Sequence, residues 1–483
     1  MSMSAQKLSL ALAILSTCLL AGAEPLHAQE QPQAPSEDRP KPAGSTFPTP
    51  IVNSGDQETR QDNNLTPDLT PLAGVLNPTL GSPELVHSYW VPGVQWSGST
   101  QSSSYNQTAN SGWVMNNFII GNLSLLKAWN TSQLAVNYSA GGFFSTDSTQ
   151  GNGYYQQLAL SQTYHRNRWL VQLLDQFSYL PESSFGFGGG SILGIPGAGG
   201  SVGPVIPSIG NNYVPNQGIY TAVGPRYSNV SAVQVTYTTS PRGSITLSGS
   251  YGLLNFVQSG NVDNNTTTGT FGYNYALTRL DTIGAFYSYS AFHFPGQPEA
   301  YGDHSINLAY GRKLTGRLAL QLYGGPSFNT SRVTITNKGS VTNGVNTSAN
   351  LRYGVQNGGL SVGYAHGISG GSGVLTGSSG DQLNFSADHK LGRIWSGQLN
   401  LAFSHNTPIT NVPGAISQSY NTWTVGGGVS RAVGRNASFS IVYNATITDS
   451  GASGCTGSAC SSSTTYNYVT SNFQWHTRPY ILP

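Results

Sequence analysis

Charge is scarce in this chain: 8% of its 483 residues are Asp, Glu, Lys or Arg, against about a quarter in an ordinary soluble domain. With a net charge of +2 there is no concentrated basic stripe of the kind that grips nucleic acid, so no nucleic-acid partner is expected. Long hydrophobic runs are lacking as well. No segment after the N-terminus has the roughly 18 consecutive apolar residues of a membrane-crossing helix. The nine His are scattered without H-E-x-x-H spacing, and there are only three Cys, so neither a metal site nor a cofactor is expected. Disorder would explain low hydrophobicity, but disordered chains combine few aromatics with high net charge, and here 11% of residues are aromatic. What is abundant is Gly (60) and Tyr (26), among many Ser, Thr and Asn. A chain neither oily nor charged suits strands with one face in lipid and the other in water.

The N-terminus carries an export signal. Lys7 precedes residues 8–20, which are apolar except for Ser9, Ser16 and Thr17, and small-residue sites follow at Ala23 and Ala28. That order is a cleaved secretory signal too short to span a bilayer, with cleavage after Ala23 or Ala28. Lipoprotein processing at Cys18 is rejected because Thr17 precedes it and apolar residues continue past it. The chain therefore divides into a signal peptide (1–28), a disordered Pro/Gln/Asn-rich periplasmic linker (29–88) and a barrel (89–483). In an oxidising compartment Cys455 and Cys460 are expected to form a small disulfide clip. The rival reading, a metal pair, finds no His or third Cys nearby.

From about residue 89 the sequence alternates. In Gln398, Leu399, Asn400, Leu401, Ala402, Phe403 and Ser404 one face is apolar and the other polar, and residues 382–388 and 438–447 repeat the pattern. Period two is the signature of a strand between two environments, and about 9–11 residues cross a bilayer when tilted. Tight turns join the runs at Asn130-Thr131, Arg166-Asn167, Pro241-Arg242-Gly243, Thr278-Arg279, Thr315-Gly316, Asn357-Gly358, Gly392-Arg393 and Gly434-Arg435. Successive turns are about 36–42 residues apart, two strands and one longer loop, except for one interval of about 75. Eight turns define sixteen strands. A C-terminal run (465–477) and a weakly alternating opener (89–107) bring the total to about 18, within 16–20. A hidden hairpin in the long interval is disfavoured because residues 180–225 carry six prolines, which starve a hydrogen-bond ladder. The expected fold is all-β, a single transmembrane antiparallel barrel.

The alternating strands, the short-turn and long-loop asymmetry and the final Val469, Thr470, Ser471, Asn472, Phe473, Gln474 and Trp475 resemble bacterial outer-membrane porin-like barrels. The resemblance is one of class and covers some four-fifths of the chain. It implies insertion by the barrel-assembly machinery after escort by periplasmic chaperones, contact with outer-membrane lipids, a possible homo-oligomer, and an N-terminal segment in the periplasm of a Gram-negative-type bacterium. Eight residues continue past Trp475, a departure from the pattern.

Two features carry functional expectations. The long loop holds Phe185, Phe187, Gly188, Gly189, Ile192 and Leu193, unusually apolar and flexible for a water-facing segment, and is a candidate to fold inward and narrow the pore; a lid or inter-subunit latch is the alternative. Basic residues gather on the short turns, among them Arg166, Arg168, Arg242, Arg279, Arg317, Arg393 and Arg435, forming a periplasmic rim. That rim serves either as an anion bias or, the reading preferred here, to snorkel toward phospholipid headgroups. Trp129, Trp169, Tyr237 and Trp395 fall where an aromatic girdle belongs. The lumen is expected to be lined by Ser, Thr, Asn, Gln and Gly. No catalytic residue is assigned: His293, Asp303, His304 and Ser305 flank one loop, but shared position in sequence does not put a base within reach of a nucleophile. The expected function is passive diffusion of small hydrophilic, neutral solutes through a channel. Export of an exopolysaccharide, or an adhesive or structural barrel with a plugged lumen, are the alternatives.

Overall fold

The computed structural model describes residues 88–103, 113–146, 152–180, 226–257, 261–333, 338–355, 357–371, 374–409, 417–434, 436–453 and 461–482. The expected signal peptide, the linker up to residue 87, the apolar part of the long loop, Arg435 and the Cys455–Cys460 segment lie outside them.

The first nine strands are β1 (Tyr89–Ser103), β2 (Val114–Ala128), β3 (Ser132–Ser145), β4 (Gly153–Arg166), β5 (Trp169–Leu180), β6 (Arg226–Ser240), β7 (Gly243–Phe256), β8 (Asn264–Ala276) and β9 (Asp281–His293). The second nine are β10 (Glu299–Lys313), β11 (Leu318–Val333), β12 (Lys338–Val355), β13 (Gly358–Ser369), β14 (Ser378–Lys390), β15 (Trp395–Pro408), β16 (Ser417–Val433), β17 (Ala437–Ser453) and β18 (Ser461–His476). Each pairs antiparallel with its neighbours in sequence, and β18 pairs with β1 from Gly93↔His476 to Ser103↔Tyr466. The sheet closes on itself as an 18-strand barrel, which leaves no open edge and satisfies every ladder within the wall.

Seven of the eight tight turns stand where the sequence puts them, and the eighth, Gly434-Arg435, falls between the end of β16 and the start of β17, with Arg435 outside the described residues. Local chemistry shapes them: Thr278 Oγ accepts the backbone N–H groups of Leu280 and Asp281 at 3.0 Å each, and Thr315 Oγ does the same for Arg317 and Leu318. Asn167 turns the chain between β4 and β5 at φ +53°, a left-handed conformation that Asn tolerates. The long interval hides no hairpin in the wall, because β5 and β6 pair directly from Trp169↔Tyr237 to Leu180↔Arg226. The residues past Trp475 belong to the seam: Tyr480 and Ile481 form a short β19 (Tyr480–Ile481) on the foot of β1, and Tyr480 stacks on Trp90 at 4.9 Å.

Alternation assigns the faces. On β2, Met115, Ile119 and Leu123 are exposed outward while Asn116, Asn122 and Ser124 are buried inward. Large apolar side chains are exposed on the outer face of strand after strand, the exterior a barrel presents to hydrocarbon. Aromatic pairs bracket this band. Trp169 and Tyr237 pack with tilted rings at 4.6 Å on the turn side, and Tyr154, Tyr179 and Tyr227 form a chain of rings on the loop side at 4.6 and 4.7 Å. Trp395 receives the Arg431 guanidinium 5.4 Å from its ring centroid, a cation–π contact at the turn-side edge.

The inner face corrects the expectation of a uniformly polar lumen. On β1–β7 it also carries Tyr89, Val91, Phe118, Ile120, Leu126, Leu170 and Leu174, all nearly inaccessible to water. Among the described residues no buried apolar side chain lies on β11–β18. Period two says which side a residue points to, but the sequence pattern of an apolar strand segment leaves open which of its faces meets lipid.

Candidate functional site

The loop-side mouth of the barrel is narrowed by the connection between β13 and β14. Gly371 and Gly377 sit at φ +77° and +80°, which turns this segment sharply at both ends. Val374 and Leu375 donate their N–H groups to the Gly371 carbonyl at 3.1 and 3.0 Å, giving the excursion a compact turn of its own. It reaches well beyond its own strands. Gly370 lies so close to Asn264 at the top of β8 that a Cβ would overlap the Asn264 amide. The Thr376 hydroxyl donates to Glu299 on β10, and Gly377 lies against the Tyr301 ring, where a Cβ would come within 3.2 Å. β8 stands five places from β13 around the wall, so a segment touching both must lie across part of the opening.

An apolar cluster holds that arrangement. Phe292, Phe294 and Tyr301 are 7%, 0% and 4% exposed, with Val262, Ile368 and Ile409 packed against them. Phe294 meets Tyr301 edge to face at 5.9 Å. Hydroxyls and amides knit the other side: Ser369 and Ser378 lie 2.7 Å apart, Ser378 donates to Asn406 Oδ1 at 3.4 Å, and Asn406 Nδ2 donates to Ser404 at 3.3 Å.

Carboxylates mark the β10 side of this mouth. Glu299, Tyr301 and Asp303 take successive inward positions, since alternate residues share a face. The Tyr301 hydroxyl donates to Glu299 at 3.1 Å and Asn346 Nδ2 donates to Asp303 at 3.4 Å. Arg226 brings a guanidinium to the same level at the top of β6 and is 7% exposed.

Below the mouth, β14 and β15 hold four inward side chains open to water: Asn384, Asp388, Gln398 and Asn400. Register makes them one patch, with Gln398 opposite Asp388 and Ala402 opposite Asn384. The adjoining β13 turns only Gly359, Ser361, Gly363, Ala365, Gly367 and Ser369 inward, which leaves space in front of that wall.

The sequence candidates are placed as follows. Phe185, Phe187, Gly188, Gly189, Ile192 and Leu193 lie outside the described residues, as do Arg435, Cys455 and Cys460. Arg166, Arg168, Arg242, Arg279, Arg317 and Arg393 stand exposed at the turn-side rim. The four residues weighed for catalysis are divided by the wall: Asp303 and Ser305 face inward, whereas His293 and His304 face outward, His304 Nδ1 lying 2.7 Å from the Tyr287 hydroxyl. They do not form one catalytic group. Among the described residues no three His, Cys, Asp or Glu side chains are grouped as metal ligands. The β13–β14 segment is the feature that sequence reasoning missed. Its signal was present in Gly370, Gly371, Ser372 and Gly373 followed by Val374 and Leu375, the same Gly-rich and apolar mixture noted in the longer loop.

No family model matches this chain, and no curated protein does. Among solved structures the chain is similar to OccAB2 of Acinetobacter baumannii, at 9% identity over 80% of this chain and 98% of that one, with a TM-score of 0.42. It is similar also to the outer-membrane protein OpdK of Pseudomonas aeruginosa, at 9% identity over 80% and 99% of the two chains and a TM-score of 0.43. A third is OccK2 (OpdF) of Pseudomonas aeruginosa, solved in complex with glucuronate, at 9% identity over 80% and 98% and a TM-score of 0.44.

Proposed function

We propose that this protein is an outer-membrane channel through which small hydrophilic solutes diffuse passively, entering at the β13–β14 constriction and passing along the β14–β15 wall. The observation that carries the reading is the water-exposed inward patch of Asn384, Asp388, Gln398 and Asn400 inside a closed barrel whose outer face is apolar. Barrels of 16–18 strands are wide enough for an aqueous passage. Three of the four exposed groups are amides, which offer hydrogen bonds without selecting charge, so neutral solutes are the preferred class. Diffusion needs no cofactor and no catalytic group.

The same reading puts the chain in the outer membrane of a Gram-negative-type bacterium. Export through the N-terminal signal, escort by periplasmic chaperones and insertion by the barrel-assembly machinery go with it, the N-terminal segment remaining in the periplasm. The exposed arginines of the turn-side rim then face phospholipid headgroups of the inner leaflet, where snorkelling suits them.

Planar-bilayer recording of the refolded full-length protein tests the channel. Discrete conductance steps are expected, with larger steps when residues 371–377 are replaced by a two-residue turn. A folded barrel that never conducts, in either form, defeats the proposal and favours the plugged structural alternative, for which the buried inward faces of β1–β7 already speak.

A further inference from the structure

Among the described residues the outer wall is mostly apolar between its aromatic girdles, and Asp175 is a charged side chain that stands within that band. Asp175 is the seventh residue of β5, which starts at Trp169 in the turn-side girdle, and it lies four residues before Tyr179 in the loop-side girdle. Its parity matches exposed Trp169 and Leu173, so its carboxylate faces outward. There it accepts the Ser231 hydroxyl at 2.6 Å and an Asn229 amide hydrogen at 3.4 Å, both from the outward face of β6. Ser231 lies opposite Asp175 on one side and Tyr251 of β7 on the other, and all three stand near the middle of their strands.

A shallow groove of about 600 Å3 runs across this patch, lined on its apolar side by Leu134, Leu160, Leu173 and Val233 and on its polar side by Gln162, Asp175, Ser231 and Tyr251. Gly249 deepens it, a Cβ there meeting nothing nearer than 3.8 Å. Acyl chains offer a carboxylate no hydrogen bond, and charged groups on the lipid face of a barrel are most costly near the midplane. Two hydrogen bonds from one neighbouring strand leave much of the bonding capacity of a carboxylate, about four lone-pair sites, unused.

We propose that this patch is where a second copy of the chain docks, wall to wall. Depth supplies the first reason. Copies inserted in the same direction carry Asp175 at the same level, so each polar island meets the other without any adjustment. Composition supplies the second. A twofold contact joins a surface to itself and therefore needs donors and acceptors together, and this patch has a carboxylate acceptor beside the amides of Gln162 and Asn229 and the hydroxyls of Ser231 and Tyr251. The small residues at Ser231 and Gly249 let the two walls approach closely, as small residues do at helix contacts in membranes.

The full-length protein with Cys455 and Cys460 replaced by Ser provides the test, reconstituted in phospholipid vesicles. A Leu173→Cys variant treated with a short bis-maleimide is expected to yield a cross-linked species of twice the mass, at least tenfold more than Leu308→Cys, which is exposed on the outer face of β10. Native mass spectrometry is expected to show a dimer that Asp175→Leu weakens at least tenfold while migration on unheated gels still reports a folded barrel. Equal cross-linking at both positions, or a monomer throughout, overturns the proposal. So does a dimer that Asp175→Leu leaves intact. Should Asp175→Leu fail to fold, the paired cysteine experiment decides alone, since it leaves the carboxylate in place. Conductance is read separately, because a monomer can still conduct.

Discussion

On β2 the side chains of Phe118, Ile120 and Leu126 point into the lumen and are 6%, 2% and 1% exposed, whereas on β15 the inward Gln398 and Asn400 are open to water. Both strands belong to one closed wall, alternate with the same period and present apolar side chains to the outside. The difference lies in what each arc was built to meet on its inner side. Strands β1–β7 set apolar residues among polar ones on the inner face, so short hydrophobic stretches such as Phe118, Ile119 and Ile120, or Leu173 and Leu174, stand in their sequence. Strands β13–β16 keep one apolar face and turn small or amide side chains inward. A barrel wall thus combines a supporting arc with a wetted arc, and only the second is suited to contact with a moving solute.

The sharpest way to break this contrast is to put charge on each arc. Ile120→Asp buries a carboxylate with no partner and is expected to cost roughly 4 kcal/mol or more, whereas Asn400→Asp on the wetted arc stays within about 0.5 kcal/mol. Urea titration of the folded barrel in vesicles measures both. Equal costs would erase the distinction. Next in size is the mouth. Phe294→Ala removes a fully buried ring and is expected to cost about 3–5 kcal/mol, with larger and noisier conductance as the cluster holding the β13–β14 segment loosens. A smaller effect follows from access. A cysteine replacing Asn400 should react with a water-soluble maleimide at least ten times faster than one replacing Gln234, which is 1% exposed on the inner face of β6. Matching rates would mean that both arcs are wet. The smallest effect is expected from Gly370→Ala. The added methyl overlaps the Asn264 amide, and the result should be a modest rise in single-channel conductance, with stability changed by about 1 kcal/mol.

Much of the wall was legible because its signals are local. Thr278 and Thr315 sit in their turns as hydrogen-bond acceptors for residues two and three places on, and Asn167 supplies its own left-handed turn, so each turn is written within a few residues. The opener β1 was found by topology, since something had to carry the chain up before β2, and its weak alternation is explained by Pro92, Gly93 and Gly98 within the strand. The candidate site was legible only in part. The arginine rim follows from turn position, but the loop singled out as a pore-narrowing element lies outside the described residues, and the segment that does cross the mouth was passed over. Its contacts with Asn264, Glu299 and Tyr301 join residues about 70–110 positions apart, a pairing that no local pattern encodes.

What the sequence determined by itself was the period, the turns and the strand count, and from these the closed barrel. Alternation fixes side-chain direction one residue at a time, and an open edge in lipid is forbidden to any chain of this kind. Only the tertiary structure decided which inward faces are dry and which wet, and which strand brings Ser231 and Asn229 to Asp175 between the two girdles. Those properties depend on curvature and on which distant strands come to share a depth, and neither is recorded in the order of neighbouring residues.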